Sequence, residues 1–157
     1  MIMNKKRKTF IIVLGILAII LGIWPMIEGL KYIKEKADDK VVTVRELVEK
    51  FQSQLPIESV SDSYKMSITG LEVRDDSLVY MTKVEGDEQF MALFVSEDYR
   101  NQLYKGLLED VVSGYDGYLL TRTACDEEMV ISYKYYDTEG NLLTQYSYPA
   151  DVYKPLL

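Results

Sequence analysis

Residues 10–27 form an eighteen-residue run without a charge, FIIVLGILAIILGIWPMI, set behind the basic cluster Lys5-Lys6-Arg7-Lys8 and closed by Glu28. As a helix, the run spans about 27 Å, close to the roughly 30 Å hydrocarbon core of a bilayer. On a small water-exposed domain it would be more apolar surface than the domain could cover. A cleaved signal peptide has a shorter apolar core and small residues before the cut, whereas Ile23-Trp24-Pro25-Met26-Ile27 is bulky throughout. The run is therefore expected to remain as a transmembrane anchor over residues 10–30, with a basic cytoplasmic tail at 1–9, a stalk at 31–42 and a domain at 43–157. The positive-inside bias places the N-terminus inside and the domain outside the cytoplasmic membrane, in a single pass. Lys31, Lys34 and Lys36 on the far side dilute that bias without reversing it.

The charge divides along the same line. Residues 1–40 carry eight Lys/Arg and four Asp/Glu, net +4, while residues 41–157 carry ten and 21, net −11. A body at −11 repels phosphate, so nucleic acid is not expected as a partner. Histidine is absent and Cys125 is the single cysteine. Their scarcity removes the Ser-His and Cys-His nucleophile pairs, imidazole metal sites, thiolate clusters and internal disulfides. With no Gly-rich phosphate loop, nucleophile elbow or metal-ligand spacing, neither cofactor nor metal is expected, and the protein is not expected to be an enzyme.

The domain reads as α+β. Thr43-Val44-Arg45-Glu46 is a capping-box pattern, and Val44, Leu47, Val48, Phe51 and Leu55 repeat at helical spacing, so a helix is expected over residues 43–54 before Pro56 stops it. From Tyr64 the period becomes two: Tyr64, Met66 and Ile68 alternate with Lys65, Ser67 and Thr69. After Gly70 the apolar set moves to Leu71 and Val73, which predicts a bulge at the glycine. Asp75-Asp76-Ser77 is a turn, and Leu78, Tyr80, Thr82 and Val84 form the partner strand. Residues 90–95, six apolar residues without a readable period, fit either a strand or the start of a helix; the tight turn before them favours strand.

Ser96 is placed to cap a helix to about Val112, buried along Tyr99, Leu103, Leu107 and Val111, with Ser113-Gly114 at its end. Residues 115–128 have no settled assignment. The closing unit is a hairpin, residues 130–136 and 141–148 around Asp137-Thr138-Glu139-Gly140, where the glycine can take the left-handed conformation of a type I turn with a bulge. This order argues for a small antiparallel sheet with helices packed on one face, in one domain.

Candidate chemistry is sparse. Asp126, Glu127 and Glu128 disfavour a thiolate at Cys125, which reads as packed rather than reactive. Asp137 to Asn141 alternates oxygens like the start of a calcium loop but lacks the later glutamate and has its glycine out of place, so it reads as a hairpin turn. The distinctive surplus is tyrosine, thirteen in all with six between Tyr133 and Tyr153. Tyr133, Tyr135, Tyr136, Tyr146 and Tyr148 must populate both faces of the closing hairpin. Those on the covered face would pack the core; those on the other, with Asp126, Glu127 and Glu128, would form an aromatic and acidic surface for a basic protein partner.

The anchor of residues 5–27 and the closing hairpin Tyr133-Lys134-Tyr135-Tyr136-Asp137-Thr138-Glu139-Gly140-Asn141 resemble small bacterial membrane-anchored extracytoplasmic proteins. Among these are immunity proteins of the TipC type. The resemblance implies a non-enzymatic protein that binds and neutralises a secreted toxin or enzyme, with no functional residue carried over. The other readings are a structural or accessory subunit of a bacterial envelope or secretion assembly and, last, a glycan hydrolase using two carboxylates.

Overall fold

In the computed structural model, described over residues 42–157, the capping box at Thr43 starts the first helix. The Thr43 side chain accepts the Glu46 N–H at 3.3 Å, and Glu46 Oε2 accepts the Thr43 N–H at 3.0 Å. Helix α1, Val44–Gln52, buries Val44, Leu47, Val48 and Phe51, the stripe its spacing predicts. The basic tail, the anchor and the stalk as far as residue 41 lie outside the described residues. Within them, no helix is long and apolar enough to cross a membrane.

Strand β1, Ile57–Val60, is too short to show a period and was not expected; it pairs antiparallel with β2, Tyr64–Arg74. β2 pairs antiparallel with β3, Ser77–Gly86, and the register shifts between Ile68 and Gly70, the bulge that the phase change predicts. Residues 90–95 are not a strand. Asp87 accepts the Phe90 N–H at 2.8 Å and starts helix α2, Glu88–Leu93. Phe90 and Phe94, four residues apart, both enter the core, which strand alternation would also allow; the aspartate cap decides for helix.

Helix α3, Glu97–Gly117, begins at Ser96 without a side-chain capping bond and buries Tyr99, Leu103, Leu107 and Val111 as expected. It continues past Gly114 instead of ending there. A Cβ on Gly114 would stand 2.8 Å from Cδ2 of Tyr118 and 3.2 Å from Cγ2 of Thr121, so this glycine makes room for helix α4, Leu119–Asp126. Gly106, also inside α3, has nothing within 4 Å of where a Cβ would sit. Gly106→Ala is thus expected to stabilise the domain by about 0.5–1 kcal/mol in urea unfolding, by lowering the entropy lost on helix formation. Gly114→Ala is expected to forfeit that gain, because the Tyr118 ring must move.

β4, Val130–Tyr136, and β5, Leu142–Tyr148, form the closing hairpin. Gly140 has φ +86, and the Asp137 carboxylate accepts the N–H groups of Glu139 and Asn141 at 2.9 and 2.8 Å. A short helix α5, Ala150–Tyr153, and a 3-10 turn at Lys154–Leu156 follow. The five strands lie in chain order, but β3 and β4 run parallel. The expectation of a wholly antiparallel sheet is corrected here: α2, α3 and α4 intervene, and a helical crossover returns the chain in the same direction.

Cross-strand register divides the side chains between two faces. Val73, Leu78, Ile131 and Tyr148 form one row toward the helices, Leu71, Tyr80, Tyr133 and Tyr146 the next, and Ile68, Thr82, Tyr135 and Thr144 a third. The hydrophobic cluster between this face and the helices takes in Phe51, Phe90, Phe94, Leu103, Leu107, Leu120 and Tyr153.

Candidate functional site

The alternate positions build the other face of the sheet. Glu58, Ser67, Lys83 and Tyr136 align across β1 to β4; Lys65 pairs with Glu85; Met81, Lys134 and Gln145 form a row, as do Glu72, Val79, Ser132 and Ser147. Val79 is buried yet stands apart from the hydrophobic cluster under the helices. At one end a cleft of about 190 Å³ is lined by Pro56, Glu58, Lys65, Ser67, Thr69, Lys83 and Glu85. Lys65 Nζ lies 2.8 Å from Glu58 Oε1, which also accepts the Ser67 hydroxyl at 3.4 Å. The hydrogen bond from Lys65 holds the Glu58 carboxyl below its ordinary range, and the same bond raises Lys65. Arg74 pairs with Glu72 farther along.

Charge is unevenly distributed as a result. Lys65, Arg74, Lys83 and Lys134, four of the ten cations in residues 41–157, stand on this face beside only Glu58, Glu72 and Glu85. The face is close to neutral while the rest of a −11 body is strongly acidic. Alternating cations and anions on an open sheet face can orient a polar protein surface, and the half-buried Met81 supplies apolar area between them.

The sequence-predicted site residues lie elsewhere, apart from Tyr136. Tyr135 and Tyr148 are 3% and 0% exposed, and Tyr133 is half-buried against Tyr80 with ring centroids 5.0 Å apart. Tyr146 packs edge-on to Tyr104 at 6.0 Å, and Tyr148 lies 5.0 Å from the same ring. The tyrosines join Phe94 and Tyr99 in an aromatic layer between sheet and α3. Burial raises Tyr133, Tyr135 and Tyr148 well above the ordinary phenol range.

The three carboxylates are exposed but each holds a neighbour: Asp126 accepts the Tyr115 hydroxyl at 2.9 Å, Glu127 accepts the Val44 N–H at 3.1 Å, and Glu128 pairs with Lys154. They tie the end of α4 to α3, to the start of α1 and to the C-terminal turn. Cys125 is buried, and burial followed by Asp126 pushes its thiol up to about 11, away from nucleophile chemistry.

One acid sits against the aromatic layer. Burial, then the neighbouring Glu109, raises Asp110 to about 7, and its Oδ2 has no hydrogen-bond partner. A folded-state value above the unfolded one means that the native state binds the extra proton, so stability falls as pH rises from about 4 to about 7. Asp110→Asn is expected to remove that slope and to stabilise the domain at pH 8 by about 1–2 kcal/mol once partial solvent access is discounted. Urea unfolding across this pH range checks it; an unchanged slope contradicts it.

The open-face charges had a signal in the sequence: the polar positions of the two long strands, Lys65, Lys83 and Glu85, fall where a period of two turns them away from Met66 and Val84. No protein-family model matches the chain, and no curated protein does. Among solved structures, the chain is similar to a Pseudomonas aeruginosa protein described as secreted, with TM-score 0.52 and 11% identity over 69% of this chain and 91% of that one. The type II secretion system pilotin AspS of Vibrio cholerae matches at TM-score 0.45 and 9% identity, covering 69% and 87% of the two chains. The pilotin EpsS of the Vibrio vulnificus type 2 secretion system matches at 0.45 and 14%, covering 70% and 87%. At these identities the likeness is one of fold.

Proposed function

We propose that this protein is a non-enzymatic, membrane-tethered binding module outside the cytoplasm, an accessory subunit of a bacterial envelope assembly that receives a protein partner on the open face of its sheet. The observation that supports this reading is the segregation of charge, with Lys65, Lys83 and Lys134 gathered on a sheet face that no helix among the described residues covers, in an otherwise acidic domain. The partner surface that fits is one of mixed charge with carboxylates opposite these lysines, which replaces the uniformly basic partner suggested by the total of −11. The apolar run of residues 10–27 supplies the tether.

The test is photocrosslinking in the native host from a probe at position 83, with a probe at Lys105 on α3 as control. A discrete adduct with one envelope protein from position 83 alone is expected; equal adducts from both positions contradict the reading. An immunity protein of the TipC type would use a binding surface in the same way. Replacing residues 10–30 by an unrelated anchor separates the two, since a tethered inhibitor keeps its function and an assembly subunit that needs the span loses it.

A further inference from the structure

The two edges of the sheet are finished differently. β1 is four residues long, follows Pro56 and carries Glu58. Beyond its reach the edge of β2 is met by Gln52, whose Nε2 donates to the Leu71 carbonyl at 2.6 Å. Such short, proline-flanked, charged or covered edges resist pairing with another chain. β5 is longer and uncharged, and its flanking proline, Pro149, stands past its last residue. Leu142-Leu143-Thr144-Gln145-Tyr146-Ser147-Tyr148 contains no charge and no proline, and Leu142 is 50% exposed. Among the described residues no backbone–backbone hydrogen bond reaches β5 except from β4.

The direction of its free groups follows from the hairpin. The Asp137 N–H closes it on the Asn141 carbonyl at 2.9 Å, and the register moves by one residue between Tyr136 and Tyr135. The Ser132 and Ser147 hydroxyls meet at 2.9 Å, the close side-chain approach of a pair whose backbones point away from each other. Alternation along the ladder then turns the N–H and C=O of Gln145 and Ser147 to the open edge.

We propose that β5 is a docking edge for an extended segment of the protein partner with a carboxylate near its middle, added antiparallel or parallel as a further strand. The inference rests on the reading of this domain as a protein-binding module. A row of free main-chain donors and acceptors is satisfied by another extended chain, and alternate side chains give the selectivity. Lys134 lies opposite Gln145 on one face of the strand; on the other, Tyr104 is 36% exposed. Two copies of β5 pairing with each other would bring like cations together between two bodies of −11 each, so charge favours an acidic segment over a second copy.

The test uses the full chain in detergent micelles and two probes, the capped peptides acetyl-VTVEVTV-amide and acetyl-VTVKVTV-amide. The glutamate peptide is expected to bind about tenfold or more tightly than the lysine peptide and to slow hydrogen exchange across residues 142–148. Gln145→Pro, which removes an outward donor, is expected to lose about tenfold in binding. Lys134→Glu, on the open face and independent of any backbone change, is expected to invert the preference between the peptides. Absence of protection at residues 142–148 with either peptide overturns the proposal, as does equal affinity for both. Self-association abolished by Gln145→Pro overturns it in favour of a second copy. If Lys65→Glu abolishes the position-83 adduct while peptide binding is unaffected by Gln145→Pro, strand addition fails and the open-face reading stands; if peptide binding follows the expected pattern and no adduct forms from position 83, the open-face reading fails and strand addition stands.

Discussion

Tyr148→Ala is expected to destabilise the domain by about 3–5 kcal/mol, the range for removing a large buried aromatic, against a typical total of about 5–15 kcal/mol. Tyr148 is 0% exposed and ends the row Val73, Leu78, Ile131 and Tyr148. Its ring lies 5.0 Å from that of Tyr104 and 6.1 Å from that of Tyr133, and its hydroxyl donates to the Tyr104 carbonyl at 2.6 Å. Alanine therefore opens a cavity between β5 and α3 as well as deleting a bond between them. Tyr148→Phe keeps the ring and is expected to cost only about 1 kcal/mol, the net worth of one hydrogen bond. Urea unfolding of the two variants measures both; similar losses for Phe and Ala would mean that the hydroxyl, not the ring, holds the layer.

Lys65→Glu combined with Lys83→Glu is expected to weaken capture of the partner by about 10- to 100-fold while leaving the fold intact. Both side chains stand on the open face beside Glu58 and Glu85, so reversal turns an alternating pattern into four carboxylates around one cleft. Lys65 also loses its 2.8 Å pair with Glu58, but that pair is exposed and contributes little to stability. Lys105→Glu, a reversal of the same kind at one position on the exposed side of α3, is the control and is expected to leave capture unchanged. Titration of partner capture against salt adds a second readout, because wild-type capture should weaken with ionic strength and the reversed protein should lose most of that dependence. Equal effects from Lys105→Glu would place the interface away from the sheet.

The local elements were largely legible. The capping box at Thr43, the bulge at Gly70, the four-spaced row of α3 and the left-handed Gly140 each depend on residues within a few positions of one another. Residues 90–95 read as strand by sequence because six apolar residues have no phase, and the aspartate that caps them as a helix also fits a turn. Gly114 looked like a helix end because nothing adjacent in the chain shows that Tyr118 and Thr121 need its space. The tyrosines of the closing hairpin could be assigned to alternate faces from their spacing, but which face α3 would cover depends on a crossover that brings residues 97–117 over β4 and β5.

From sequence alone came the apolar run of residues 10–27, the division of charge into +4 and −11, the absence of histidine and the α+β pattern, since each is a property of composition or of short-range period. Tertiary structure decided that Tyr135 and Tyr148 of the closing hairpin are core and that the lysines of β2, β3 and β4 share a face that no helix among the described residues covers. It also decided that one sheet edge is met by Gln52 while the other, among the described residues, is left open. These depend on strand order and on the parallel return of β4, which follow from burying one face of the whole sheet at once and not from the pattern of any single strand.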